Sequence, residues 1–161
     1  MEEITLGSNY NNIKKSYNLD DFNEENIIKM FKKMGLSIHN YFIININNAL
    51  VKYPLFNICN NYKKQCGLIN FDNDKIVIFI VSKFNKCKVI DILNVLVKDI
   101  INIKIYKHIF NYRLILNTST EEFDCRIPFK YNGFIKQKEN CYMFKKIFDK
   151  DVIKNNYLKV F

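Results

Sequence analysis

INFDNDKIVIFIV, residues Ile69–Val81, is the stretch on which the fold turns. Two apolar runs flank Asp72, Asn73 and Asp74, and the triplet has two physical readings. Carboxylates on alternate residues of a strand point to one side and can share a divalent cation, as nucleotidyl transfer requires. That chemistry also needs a Gly-Ser phosphate loop upstream and a third carboxylate on a neighbouring strand, and Cys66-Gly67 is a poor substitute for the loop. The other reading is a tight turn, because Asn and Asp tolerate left-handed backbone and bond their own main chain. The turn reading makes "CGLINF" and "KIVIFIVSKF" two antiparallel strands and the core of a sheet.

Working outward, "KCKVIDILNVLVKDIIN" has Val89, Ile92, Leu93, Leu96, Val97 and Ile100 at helical spacing with lysine and aspartate between them. This predicts a helix over residues 87 to 102. "IKIYKHIFNYRLILN" alternates as a strand does, "TSTEEF" breaks it, and "FDCRIPFKYNGFIKQ" with "NCYMFKKIF" reads as a closing hairpin. Asp149 to Phe161 reads as a last short helix or a strand.

On the N-terminal side, Asp20 and Asp21 precede "FNEENIIKMFKKMG", in which Phe22, Ile27 or Ile28, Met30, Phe31 and Met34 recur at helical spacing. Acids lead, lysines trail and Gly35 ends the run, so a capped amphipathic helix is predicted over residues 20 to 34. "LSIHNYFIININNALVKYPLFNIC" then reads as two strands, with Asn47-Asn48 as a turn and Pro54 at an edge or bulge. Residues 1 to 18 read as loop around a short strand at Glu3 to Leu6. No linker or shift of composition divides the chain, so residues 1 to 161 form a single domain. The expected class is α+β: one largely antiparallel sheet with two main helices packed on one face.

Nearly half the residues are apolar, which places the chain among folded globular proteins. No apolar stretch approaches the roughly 20 residues that span a bilayer, and no leader pattern opens the chain. The expectation is an intracellular protein, cytoplasmic or nuclear, without a membrane partner. Cys59, Cys66, Cys87, Cys125 and Cys141 are odd in number and contain no CxxC, which favours reduced thiols. With only His39 and His108 to help them, no zinc site is expected.

The formal charge is +9, and nearly all the cations are lysine, since Arg113 and Arg126 are the only arginines. A basic surface attracts polyanions such as nucleic acid or anionic membrane. Part of the bias belongs to codons: the abundant Lys, Asn, Ile, Tyr and Phe are AT-rich, as in the genome of a large DNA virus or a parasite. Asp and Glu have fairly AT-rich codons too, so codon bias leaves the surplus of lysine unexplained.

Catalytic signatures are missing from the sequence. No GxSxG elbow, GxxxxGK[ST] or GxGxxG occurs, and four glycines, Gly7, Gly35, Gly67 and Gly133, offer little for a phosphate loop. A non-enzymatic protein with no cofactor is expected. The remaining signal is aromatics interleaved with lysines in "VSKFNKCK", "YKHIFNYRL", "FKYNGFIKQK" and "YMFKKIF". A sheet face of this kind can stack bases or wedge into a groove while Lys83, Lys86, Arg113 and Lys130 meet phosphates.

The segment "KKMGLSIHNYFIININNALVKYPL", residues 32 to 55, resembles a junction of the TATA-binding protein family. There a helix ends in a Gly-hydrophobic pair, a strand carries a central Asn, and a Val-Lys-aromatic-Pro step follows. "VIFIVSKF", residues 77 to 84, looks like the family strand whose aromatic wedges between base steps, and "CRIPF" echoes the proline step. The resemblance implies Asn45 as a groove-reading residue, Phe79 as a wedge and Lys83 as a phosphate contact. It departs from the family in lacking a glycine at Ser82 or Lys83, and in reading residues 104 to 161 as strands without a second long helix. The function expected is therefore nucleic-acid binding, of DNA first, by a TATA-binding-like transcription factor. The alternative is a protein-interaction or assembly subunit with an exposed sheet interface, in which the same aromatics are contact hot spots.

Overall fold

The structure is a computed structural model that describes residues 22–46, 49–53, 58–62, 65–82 and 88–158, with backbone alone at 49–53, 58–62, 65, 88 and 149–158. The expected N-terminal loop, the strand at 3 to 6, Asp20 and Asp21, the Asn47-Asn48 turn, Pro54, and Lys83 and Lys86 lie outside the described residues. Helix α1 (Glu24–Met34) is followed by strands β1 (Tyr41–Ile46), β2 (Ala49–Tyr53), β3 (Ile58–Tyr62), β4 (Gln65–Phe71), β5 (Lys75–Ser82) and β6 (Lys88–Leu96). A single 3-10 turn, Val97–Asp99, leads into β7 (Ile100–Lys107), β8 (Asn111–Thr118), β9 (Glu122–Pro128) and helix α2 (Gln137–Leu158).

All described strand pairs are antiparallel. One half of the sheet runs β1-β4-β5-β6, the other β7-β8-β9, and β9 joins them by pairing with both β1 and β2. β1 and β2 run along β9 with a register shift between them, so they are not partners of one another. The Asp72-Asn73-Asp74 triplet is the connection of the β4-β5 hairpin: the Asp72 N–H donates to the Lys75 carbonyl at 2.9 Å, and Phe71 lies opposite Ile76.

Helix α1 begins at Asn23, whose side-chain oxygen accepts from the Asn26 N–H at 2.9 Å. Glu24 and Glu25 in the first turn and Lys32 and Lys33 in the last complement the helix dipole. Gly35 ends it with φ 65°, donating to Lys32 while the Leu36 N–H returns to Phe31.

Strand alternation divides the interior in two. Tyr41, Ile43, Cys66, Leu68, Val77, Phe79 and Val81 face Ile27, Met30 and Phe31 of α1. Phe42, Ile44, Ile46, Ile69, Phe71, Ile76, Ile78 and Ile80 point the other way, into a larger core. There they meet Leu114 and Leu116 of β8, Phe123, Cys125 and Ile127 of β9, and Cys141, Phe144 and Phe148 of α2. β5 is thus buried on both faces, which is why its sequence is a continuous apolar run. Helix α1 covers one face of the β1-β4-β5 layer and α2 the other, whereas the helices expected to share one face were residues 20 to 34 and 87 to 102.

A second correction concerns the helix expected over residues 87 to 102: residues 88 to 102 form β6, the 3-10 turn and the start of β7. β6 adds apolar side chains to both interior clusters, with the half-buried Ile92 against the α1 cluster and Leu93 in the larger one. A register shift opposite Ile80 and Val81 adds a residue, placing Val89 and Ile92 on one face three positions apart. Adjacent apolar pairs and a bulge together imitate helical spacing. In turn, "NCYMFKKIF" belongs to α2 rather than to a hairpin strand. Gln137, Asn140, Cys141, Phe144 and Phe148 make its buried stripe.

Candidate functional site

Phe79 has no solvent exposure and packs 5.7 Å from the Phe31 ring, centroid to centroid. A wedge must reach its target from the surface, so the role that the resemblance implied for Phe79 is corrected: it is a core residue beneath α1. Both faces of the layer around it are covered, and the free sheet face expected for base stacking lies elsewhere.

It is found on the outer side of β7-β8-β9. Tyr106 stands opposite Arg113, Arg113 opposite Arg126, and Arg126 opposite Asn45, a row across four strands. Directly opposed residues share a face. Two residues singled out from the sequence, Asn45 and Arg113, are therefore brought together, along with Arg126, which sequence reasoning passed over. Arg113 is partly engaged: its Nε and Nη2 meet the Asp124 carboxylate at 3.1 and 2.5 Å, and that carboxylate raises its pKa further. Arg126 reaches the Asn111 side-chain oxygen at 3.4 Å.

The row leads to one end of the molecule. β7 and β8 are joined by a two-residue loop, Ile109-Phe110, closed by the His108 N–H donating to the Asn111 carbonyl at 2.8 Å. Both loop side chains project into solvent, Ile109 at 84% and Phe110 at 79% exposure. Beside them the segment after β9 turns back on itself, with Gly133 at φ 82° and the Phe134 N–H donating to Tyr131. Phe134 and Tyr131 anchor it against Phe22 and the α1 cluster. The next residue, Ile135, is left 95% exposed. The two loops touch, since the Phe129 N–H donates to the Phe110 carbonyl and the Phe129 ring lies 4.7 Å from that of Tyr112. Phe129, Lys130 and Ile135 line an open recess at this end.

Lys107, Lys130, Lys136 and Lys138 belong to the two segments that carry these apolar tips and are exposed, as is Lys104 further along β7. Residues 104 to 113 and 129 to 138 contain neither Asp nor Glu. Lys130 is the third singled-out residue placed here. The tip residues were passed over because Ile and Phe in a strand-rich sequence read as core; the missed signal was an apolar pair within a two-residue turn, where Gly, Asn and Asp belong.

Among the described residues, two buried thiols and one tyrosine are held away from chemistry. Burial pushes the Cys125 thiol well up and that of Cys141 up to about 12, so neither is a ready nucleophile. Tyr41 is likewise raised by burial and by its hydrogen bond to Glu24, 2.6 Å away. Among the described residues no group of three His, Cys, Asp or Glu side chains is placed to hold a metal. None of the described helices is long and apolar enough to cross a membrane.

No protein-family model matches the chain, and no curated protein does. Among solved structures, it is similar to the pleckstrin homology (PH) domain of USP37, with a TM-score of 0.42 and 12% identity over 67% of this chain and 97% of that chain. A likeness at that level establishes neither fold nor activity here.

Proposed function

We propose that the chain is a non-enzymatic binding module that engages a polyanionic partner through the end formed by the β7-β8 hairpin and the segment 129–136. The observation that carries this reading is the unopposed charge. Lys107, Lys130 and Lys136 are exposed, make no ion pair among the described residues, and have no carboxylate in their own segments. Uncompensated lysines on a surface that also bears exposed aromatics suit phosphate-bearing ligands, and they attract them over about a Debye length. The row of Tyr106, Arg113, Arg126 and Asn45 supplies a second set of hydrogen-bond donors on the outer face of the same strands. The nucleic-acid expectation keeps its charge argument and loses its wedge at Phe79.

The test is binding of a fluorescent duplex and of heparin across a salt series, with Lys107→Glu/Lys130→Glu/Lys136→Glu as the variant. Binding should fall steeply as salt rises, and the triple variant should bind at least about tenfold more weakly at low salt. A triple variant that binds as well as the parent, or a parent that binds neither probe at low salt, would overturn the reading.

A further inference from the structure

The tip of this end is costly in a way that charge alone does not explain. A two-residue hairpin loop favours Gly, Asn or Asp, whose backbone suits the turn and whose side chains suit water. This chain puts Ile109 and Phe110 there, almost fully exposed and with no packing in return. Departures from local rules without a compensating contact are where function is expected. Resting on the polyanion reading above, we propose that the partner is an anionic membrane surface. Ile109, Phe110 and Ile135 enter its interfacial region while Lys107, Lys130 and Lys136 meet the lipid headgroups.

Three observations favour a membrane over a nucleic acid or a protein. The most exposed tip residues include two isoleucines, which have no π face to offer a base but partition readily into acyl chains. The end is blunt: the Phe129 N–H bond to Phe110 holds the hairpin tip beside the neighbouring loop, so neither projects as an arm that could enter a groove. Apolar tips on segments that carry exposed lysines and no acid match a plane with hydrocarbon below and negative charge above. The lack of a spanning stretch bears on crossing a bilayer and not on resting against one. Three short apolar side chains and a few lysines predict weak, reversible attachment.

The chain has no tryptophan, so Phe110→Trp installs a single reporter at the tip. With vesicles of about one third phosphatidylserine in phosphatidylcholine, its emission should shift to the blue, and co-sedimentation should be lost with phosphatidylcholine alone. Ile109→Ser/Phe110→Ser should weaken co-sedimentation at least about tenfold while leaving the thermal transition in place. Several results would overturn the inference: no blue shift, or a serine double variant that binds vesicles as the parent does. Binding to the duplex without binding to either vesicle would also overturn it, and would leave the polyanion reading standing. Failure on heparin, duplex and vesicles alike would remove both. A parent chain that self-associates, and stops doing so in the serine double variant, would assign the tip to a second copy instead.

Discussion

Gly67 shows how narrowly a single position can be specified. It lies between Ile44 on β1 and Ile80 on β5, on the side of the larger core. A Cβ there would sit 2.5 Å from the Phe79 carbonyl oxygen and 2.9 Å from the Ile44 Cγ1. The first of these is backbone within a ladder and cannot swing aside. Gly67→Ala should therefore cost about 1–3 kcal/mol, read as a lower denaturant midpoint at unchanged slope. A change within about 0.5 kcal/mol would mean that the strands part more easily than their pairing implies. From sequence, Gly67 was visible only as a weak phosphate-loop candidate; its tight packing requires partners far away in the chain.

At the scale of elements, the join between β1 and α2 depends on two side-chain amides. β1 meets β9 at Asn45 and Arg126, and two residues further the ladder would set Ile43 opposite Pro128. The Gln137 side chain fills that place. Its oxygen accepts from the Ile43 N–H at 2.8 Å, and its nitrogen donates to the Ile43 and Pro128 carbonyls at 2.8 and 3.0 Å. Asn140, one turn on, donates to the His39 and Tyr41 carbonyls, both at 2.8 Å. The first turn of α2 thus replaces a neighbouring strand and satisfies backbone groups that burial would otherwise strand. Gln137→Ala should cost about 2–3 kcal/mol, because it leaves several buried main-chain groups without partners. Urea melts would check it, and a near-neutral result would show that water reaches the gap. No sequence pattern announces this device, since a glutamine and an asparagine ahead of an apolar stripe read as ordinary polar residues.

At the scale of the whole molecule, acidity is expected to act through Glu121 between β8 and β9. Burial, and then the neighbouring Asp91, raise its pKa above 4.5. For an acid raised on folding, the unfolded chain loses its proton first as pH rises. The folded state therefore loses stability from about pH 4.5 up to the folded pKa, and then levels off. Glu121→Gln removes that loss, so the variant should gain over the parent when the two are compared at neutral pH and match it more closely at acid pH. Equal differences at both ends of the range would show that Glu121 is not the group responsible. The same scale holds the division of charge: the lysine-bearing segments 104 to 113 and 129 to 138 are separated in sequence and come side by side through the pairing of β8 with β9.

What the sequence by itself determined is local and periodic. It specified α1 through its apolar spacing and Gly35, the β4-β5 hairpin through Asp72-Asn73-Asp74, and the alternating strands β8 and β9. It also supplied the α+β class with an antiparallel sheet. Each of these rests on short-range preferences that act within a few residues. The tertiary structure decided what depends on burial from more than one side. β6 looks helical until an interior cluster is placed on each side of it, and a residue such as Phe79 can be assigned to surface or core only when α1 lies upon it. Adjacent apolar side chains mean one thing on an amphipathic helix and another in a bulged strand that feeds an interior cluster on each side. Only the neighbours that exclude water distinguish the two, and the same exclusion leaves Ile109, Phe110 and Ile135 outside.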